Sequence, residues 1–390
     1  MKVMTTMYTL RRGGAYDRFI MMLEAFLERN CETHCLSLTS IPIRNPLFNN
    51  HVVHFPFDLN NPIINKLFVL LMFPFYLVLI GRREKIDLFI AFNSFYAFLQ
   101  AVPKRILRKP MVTLIRGDFT FGLKMQNSFK YFLWLNKVIE YFGLNASDKI
   151  LAVNEAIREN ITRVIGNRRN VDVEILFNNI LVSRNFPPVE SMTIRNRYSI
   201  TKDAKILVTA GVLNRGKNIE LLLRAVSKIQ IENLLFFIIG EGSTKTDARY
   251  VEHLKEMTKE LGLEKKVIFT GWLQKEELWK MLRAADLFVL SSMNEGMPNV
   301  MLEAVGLDLP CFGSKVPGIA SILQYDELMF DPLDVEALVD KVSRFFSDPQ
   351  YSNYIIKLCL GRKKAFLFDW KEKAFQMVTE GMLCKGESCR

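Results

Sequence analysis

The stretch Asn294 to Ala304, NEGMPNVMLEA, sets one glutamate in a glycine/proline turn and a second eight residues later inside an apolar run. The run ADLFVLSS before it reads as a buried strand, so Glu295 stands beside Gly296 where a strand empties into a turn. Pro298 lacks an N–H and suits the first turn of a helix, which leaves the N–H groups of Met297, Asn299 and Val300 to point out of that helix start. From Val300 to Val305 the only charged residue is Glu303, and a carboxylate sunk there needs a partner. At ~1.5 Å per residue, Glu303 lies roughly 7 Å along the axis from Pro298, and its two oxygens can accept hydrogen bonds from a vicinal diol such as a ribose. The bland reading is a helix start with one acidic cap and one carboxylate that reaches solvent.

A second cluster lies in TAGVLNRGKNIELLLRAV. The strand over 205–210 ends at Gly211, and Arg215 and Lys217 stand two apart before a helix that runs from about Asn218. Two cations beside a helix N-terminus suit a diphosphate, because charge-assisted contacts and the helix dipole act on the same anion; a solvated loop is the alternative. Weaker turns accompany them: Gly13-Gly14 before the helix AYDRFIMMLEAFLERN, Gly240-Glu241-Gly242 after LLFFII, and Gly271 after VIFT. Gly13-Gly14 lacks the spacing of a dinucleotide fingerprint and is equally a plain tight turn.

The elements that must position these residues alternate. Strands are expected near 2–8, 34–38, 87–92, 111–115 and 149–153, and again near 205–210, 234–239, 266–270, 286–290 and 309–313, with helical patterns between them. That alternation implies two doubly wound α/β domains built from βαβ units, with ligands off the carboxyl ends of the strands and an interdomain cleft as the natural site. The boundaries are expected at 1–180 for the first domain, 181–203 for a linker around SRNFPPVES, 204–365 for the second domain and 366–390 for a terminal segment.

At 390 residues the chain exceeds one hydrophobic core, and 49% hydrophobic with 24% charged residues is globular. Residues 1–200 carry 26 Lys/Arg against 15 Asp/Glu, whereas 201–390 carry 26 against 26, so the excess behind the net charge of +11 belongs to the first half. That half is expected to meet something anionic, a phosphate-bearing substrate or an acidic membrane face. Nucleic acid is disfavoured, because the basic residues are dispersed and no helix-turn-helix, finger or RNA-binding signature is present. The six cysteines (31, 35, 311, 359, 384 and 389) show no regular spacing and read as thiols; Cys31, His34 and Cys35 lack a second ligand pair for a metal. The N-terminus MKVMTTMYTLRRGG has neither the apolar core of a signal peptide nor a twin-arginine pattern. The block Leu67 to Ile80, 14 residues interrupted by Pro74, is short for a spanning helix; it is either a core helix or one that dips a face into a membrane surface, flanked by Lys66, Arg82, Arg83 and Lys85.

Taken in order, GG, GVLNRGKN, IIGEGS, FTGW, SSMNEGMPNVMLEAVGLDLPCFGSKVPGI and a late FDW resemble family 4 of the retaining glycosyltransferases, which have the GT-B fold of two facing Rossmann-like domains. ASDKILAVNEAIRENI is similar to the last strand and helix of that family's N-terminal domain. The resemblance implies a nucleotide-diphosphate sugar, UDP- or GDP-linked, held by the second domain, an acceptor held by the first, and no required cofactor or metal. It places Glu295 against the donor sugar, Glu303 at the ribose and Lys217 in the diphosphate clamp, and implies that 366–390 braces the first domain. Two positions depart from the pattern: Val212 stands where the family usually has Arg, with Arg215 three residues on, and TLIRGDF brings Arg116 and Asp118 where the family often has His.

These readings together predict a metal-independent, retaining glycosyltransferase with Arg215, Lys217 and Glu295 at the reaction. Gly13, Gly14, Gly211, Glu241, Gly271, Gly296, Met297, Pro298, Asn299, Val300 and Glu303 are expected around the donor, and Arg116 and Asp118 toward sugar or acceptor. The acceptor is expected to be a glycan or a polyprenyl-diphosphate-linked lipid in cell-surface polysaccharide or glycolipid synthesis, and the place the cytoplasmic face of an anionic membrane. A catalytically inactive partner protein and a sugar-nucleotide epimerase or hydrolase are the alternatives.

Overall fold

The computed structural model describes residues 1–8, 13–54, 62–117, 130–166, 171–182 and 191–380. It divides into two compact units, one of residues 1–177 with 369–390 and one of residues 178–368.

The first unit is built on a parallel sheet of seven strands in the order β3-β2-β1-β4-β5-β6-β7. In chain order these are β1 (Lys2–Met7), α1 (Gly14–Leu27), β2 (Glu32–Ser37), β3 (Phe48–Val52), α2 (Pro62–Arg83), β4 (Leu88–Ala91), α3 (Ser94–Leu107), β5 (Met111–Ile115), α4 (Lys130–Ala146), β6 (Lys149–Ala152), α5 (Glu155–Ile165) and β7 (Asp172–Ile175). Helix α1 buries Phe19, Met22, Leu23, Phe26 and Leu27, the spacing of one face against the sheet. Asn93 caps α3 by accepting from Tyr96 N at 3.0 Å, and Asn154 caps α5 by accepting from Ile157 N at 2.8 Å, so these two strand-to-helix turns end on a side chain that fixes the next helix. Pro74 does not interrupt α2, which runs through it; Val69, Phe73 and Leu77 are each 0% exposed and hold the helix on the unit despite the lost N–H. Among the described residues no helix is long and apolar enough to cross a membrane.

The second unit repeats the plan with a six-stranded parallel sheet in the order β10-β9-β8-β11-β12-β13. It contains α6 (Ser191–Arg197), β8 (Lys205–Ala210), α7 (Ile219–Lys228), β9 (Leu234–Ile239), α8 (Lys245–Glu260), β10 (Val267–Gly271), α9 (Lys275–Ala284), β11 (Leu287–Leu290), α10 (Asn299–Gly306), β12 (Cys311–Ser314), α11 (Pro317–Leu323), β13 (Met329–Phe330), α12 (Val335–Ser347) and α13 (Pro349–Lys363). Its inner strands carry Phe236, Phe237 and Phe288 at 0% exposure, the continuous apolar runs of strands covered on both faces. Helix α6 lies within the segment read from the sequence as linker. The last helix, α14 (Trp370–Thr379), belongs to the first unit and packs on α1.

In each sheet the first strand pairs with two neighbours, and the chain leaves them in opposite directions. In the second unit β8 lies between β9 and β11, and the chain winds outward from β8 to β9 on one side and from β11 to β12 on the other. The carboxyl ends of β8 and β11 therefore flank a crevice, which is where doubly wound sheets bind ligands.

Candidate functional site

The exit of β8 is shaped by glycine. Gly211 has φ 150, and its N–H donates to Ile239 O at 3.0 Å. A Cβ on Gly240, itself at φ 132, would sit 1.8 Å from Gly211 O, so the turns after β8 and β9 touch backbone to backbone. Beyond Gly211 the chain forms a single tight turn over Arg215–Lys217, and Asn218, in the left-handed region at φ 50, starts α7 while its amide donates to Pro332 O at 2.8 Å. Tyr250 pins that start: its hydroxyl accepts from Ile219 N at 3.2 Å and donates to the Glu220 carboxylate. Burial, and then the hydrogen bond to Glu220 with its charge, push the Tyr250 phenol far above its ordinary pKa, so it stays a donor.

The exit of β11 is tied to the same turn. The Ser291 hydroxyl reaches Lys217 O at 2.8 Å and Asn218 O at 2.9 Å, and Met293 N donates to Gly216 O at 2.8 Å. Ser292 Oγ donates to Glu295 Oε1 at 2.7 Å, and Lys217 Nζ forms an ion pair with the same oxygen. The two side chains are 19% and 14% exposed, enough desolvation to strengthen the pair over a surface one. Glu295 Oε2 takes no hydrogen bond among the described residues, which leaves it able to accept from a hydroxyl.

The turn is braced from behind by α11. A Cβ on Gly318 would lie 2.2 Å from Glu295 O and 2.4 Å from Gly296 O, so only glycine lets α11 reach the Glu295–Gly296 peptide. Pro298 is the cap of α10 rather than its first-turn residue, so the N–H groups of Asn299 and Val300 lie in the first turn and that of Met297 precedes it. Asn178 donates from one amide to Met297 O at 2.8 Å and to Asn299 Oδ1 at 2.9 Å. Glu303, 5% exposed, sits in the body of α10.

The crevice between β8 and β11 thus brings Gly211, Lys217, Glu295 and Gly296 together. Arg215 is exposed and has no carboxylate partner among the described residues, and its charge acts on Tyr250. Glu241 follows β9 and Gly271 ends β10, farther along the sheet; Glu241 O accepts from Leu213 N at 2.9 Å, and its side chain approaches Gly271, where an added Cβ would lie 3.1 Å from Oε1. Ser292, Tyr250, Asn178 and Gly318 were not singled out from the sequence. Of these only Gly318 carried a signal, a glycine directly after Pro317 at a helix start.

The first unit holds the other expected residues. Gly13, at φ 138, precedes α1, and Gly14 is its first residue. Arg116 follows β5, donates from Nη1 to Leu176 O at 3.0 Å and lies over the Trp370 ring at 5.8 Å; Arg18 approaches the same ring at 5.5 Å. Burial, with the Arg18 charge adding to it, draws the Arg116 pKa down, and its Nη2 has no hydrogen-bond partner among the described residues. Asp118 lies outside the described residues.

A different set, Glu32, His34 and Glu84, brings its ligand atoms within 4.8 Å of one another. Lys2 pairs with Glu32 at 2.8 Å and Arg83 with Glu84 at 2.6 Å, so the charge a metal ion would neutralise is already met. Cys31 and Cys35 are buried free thiols, each directed at a backbone carbonyl.

Comparison with known proteins follows the same division. A family model described as Glycosyltransferase Family 4 matches residues 12–177, and one described as Glycosyl transferases group 1 matches residues 190–358. The chain is 23% identical over 289 residues to an Escherichia coli UDP-Gal:alpha-D-GlcNAc-diphosphoundecaprenol alpha-1,3-galactosyltransferase, covering 71% of this chain and 70% of the relative. It is 29% identical over 214 residues to a lipopolysaccharide core biosynthesis glycosyltransferase of Rhizobium meliloti, covering 54% and 57%, and 26% identical over 224 residues to an uncharacterized glycosyltransferase of Methanocaldococcus jannaschii, covering 56% of each. The match thus spans a little over half the length of two of these relatives. Among solved structures, Anabaena HepE in complex with UDP-glucose superposes with a TM-score of 0.77 at 17% identity over 98% of this chain and 100% of that one, and a sucrose-phosphate synthase from Thermosynechococcus elongatus with 0.78 at 18% over 98% of each. The two family models together account for most of the chain, and the protein belongs to the family 4 glycosyltransferases, with the two Rossmann-like domains of the GT-B fold.

Proposed function

We propose that the protein is a retaining, metal-independent glycosyltransferase that moves a sugar from a UDP- or GDP-linked donor to a glycan or polyprenyl-diphosphate-linked acceptor, at the cytoplasmic face of a membrane, in cell-surface polysaccharide or glycolipid synthesis. The observation that carries this reading is the junction of Lys217, Ser292 and Glu295 at the crevice between β8 and β11. The printed names of relatives support its terms: the E. coli relative is named for UDP-Gal and a diphosphoundecaprenol acceptor, and the HepE structures for UDP, UDP-glucose and glucose.

In this reading the donor diphosphate lies at the start of α10 beside Lys217 and Arg215. The bond from the anomeric carbon to the diphosphate oxygen breaks with its electron pair on that oxygen, and two positive side chains and the helix dipole stabilise the charge. The acceptor hydroxyl attacks from the same face and its proton passes to the departing phosphate, so configuration is kept. Glu295, anchored through Oε1, offers Oε2 to a sugar hydroxyl. Glu303 faces the ribose, the N–H groups of Asn299 and Val300 the phosphates, and the glycine turns at Gly211, Glu241 and Gly271 the remaining donor surface. Gly13-Gly14 are assigned to the donor as well, and Arg116 and Asp118 to the sugar or acceptor side.

The test is turnover across a panel of UDP- and GDP-sugars with a lipid-diphosphate glycan acceptor, with product configuration read by NMR and EDTA in parallel. Lys217→Ala is expected to lower kcat by about 10²–10³-fold with the melting temperature retained. Near-normal turnover of that variant, an inverted product, or loss of activity in EDTA would each remove the corresponding part of the reading.

A further inference from the structure

Helix α2 has two apolar faces where a helix covering a sheet needs one. Val69, Phe73 and Leu77 are fully buried, while Leu67, Leu71, Phe75 and Leu79, spaced four apart, are 57%, 66%, 55% and 48% exposed. The neighbouring helices continue the pattern. On α3, which packs on α2, Val102 and Ile106 are 58% and 48% exposed; on α4, which packs on α3, Trp134 and Phe142 are 59% and 55% exposed. With Tyr141, nine of the fifteen large exposed apolar side chains among the described residues fall on these three helices. A groove lined by Leu70, Pro74, Phe98, Ile106 and Phe142 runs among them. Contiguous exposure of this extent marks an interaction surface rather than scattered surface leucines.

The charge around the patch says what covers it. Arg82 and Lys85 close the carboxyl end of α2, and Arg105 and Arg108 that of α3. All four are exposed, and none has a carboxylate partner among the described residues. An apolar stripe bordered by unpaired cations is complementary to an apolar interior under a negatively charged skin. A second copy of the chain would bring the same unpaired cations to the rim, and the carboxylates that line the groove, Asp87, Asp148, Asp172 and Glu380, are already paired with Lys109, Lys104 and Lys149.

The geometry points to the α2–α3–α4 face as a docking surface for an acidic phospholipid bilayer. Helix α2 lies along the interface with Leu67, Leu71, Phe75 and Leu79 among the upper acyl chains, and Arg82, Lys85, Arg105 and Arg108 meet lipid phosphates. This deepens the reading of a membrane-borne acceptor by naming the surface that holds the protein there. Its test involves no sugar transfer, so either reading can fail alone.

The experiment is flotation of the full chain with vesicles of phosphatidylcholine alone or with about one third phosphatidylglycerol, in low and high salt. Binding is expected to the acidic vesicles, to weaken about fivefold for each of Arg82→Gln and Arg105→Gln, and to fall further with salt. Leu71→Glu with Phe75→Glu is expected to lower bound protein at least tenfold while circular dichroism and melting temperature hold, since both side chains are already exposed. Absence of wild-type binding to acidic vesicles, or unchanged binding by the stripe double variant, overturns the proposal. So does a wild-type dimer by sedimentation velocity that Leu71→Glu dissolves, which would assign the face to a second copy.

Discussion

At the scale of single residues, the constraint on Glu295 comes from three directions. Ser292 and Lys217 hold one carboxylate oxygen, the peptide after it is backed by Gly318, and Met293 N ties the turn to Gly216. Gly318→Ala places a methyl group 2.2 Å from a backbone oxygen that has no room to retreat without moving Glu295. It is expected to destabilise the protein by about 1–3 kcal/mol and to depress kcat/KM on the preferred donor more than that loss of folded protein explains. Gly361→Ala, with nothing within 4 Å of the added Cβ and a place inside α13, serves as the control: it should leave turnover unchanged and stability unchanged or raised by up to about 1 kcal/mol. A Gly318→Ala enzyme with wild-type melting and turnover would show that the brace is not rigid. Glu295, the glycine turn and Lys217 could be singled out in the sequence because their residue types are unusual where they stand. The Ser292 bond and the Gly318 contact could not, since both depend on which loops the sheet order brings together.

At the scale of elements, the strand edge between β2 and β3 carries an ionisable pair. His34 Nδ1 and His51 Nε2 lie 3.0 Å apart with stacked rings, and His34 is 1% exposed. Burial lowers both pKa values, for His34 against the opposing pull of Glu32. Their folded pKa values lie below the ordinary value of 6.5, so below that pH the unfolded chain takes up protons that the folded chain refuses. The stability tied to the pair is therefore present above that pH and lost as pH falls toward the lowered values. The melting temperature is expected to drop between pH 7 and pH 5, with a slope of up to about 1.4 kcal/mol per pH unit for each proton of difference. His51→Gln should flatten the curve, and a wild-type profile level over that range would contradict the account. The same edge shows what the sequence withholds. The inner strands announce themselves as apolar runs such as LLFFII and LFVL, whereas β3, FNNHV, and β7, DVEI, are half-exposed edges without such a run, and β13 is two residues long. Edge strands have one neighbour and a solvated side, so they need little of the apolar pattern that identifies a strand. Helix α2 is the opposite case: its apolar block was plain, but only the fold separates the buried face from the exposed one.

At the scale of the molecule, the excess positive charge lies in residues 1–200, which carry 26 Lys/Arg against 15 Asp/Glu, while the nucleotide-sugar crevice proposed above lies in the electrically balanced remainder. The doubled βαβ plan could be read from the alternation of runs, but the division of the chain could not be drawn sharply. The structure parts it at Phe177 and again at Phe368, so the first unit is made of two separate segments. The second segment supplies substance: Trp370 is 0% exposed between Arg18 and Arg116, Lys371 meets Glu24 at 2.9 Å, and Glu372 pairs with Arg29. Trp370→Ala is expected to cost about 3–5 kcal/mol, measured as a loss of thermal stability in the first unit. A fragment of residues 1–177 should be poorly soluble until the 369–390 segment is supplied, fused or in trans; a fragment that melts as the intact unit does would refute this. Synthesis meets the same constraint in time. A ribosome delivers residues 178–368 as one unbroken piece, able to fold on emergence, while the unit begun first must wait, its α1 face uncovered, for α14, which is made only after residue 368. The order of manufacture and the order of completion are reversed, and for that interval the apolar face of α1 that α14 covers stays open to water.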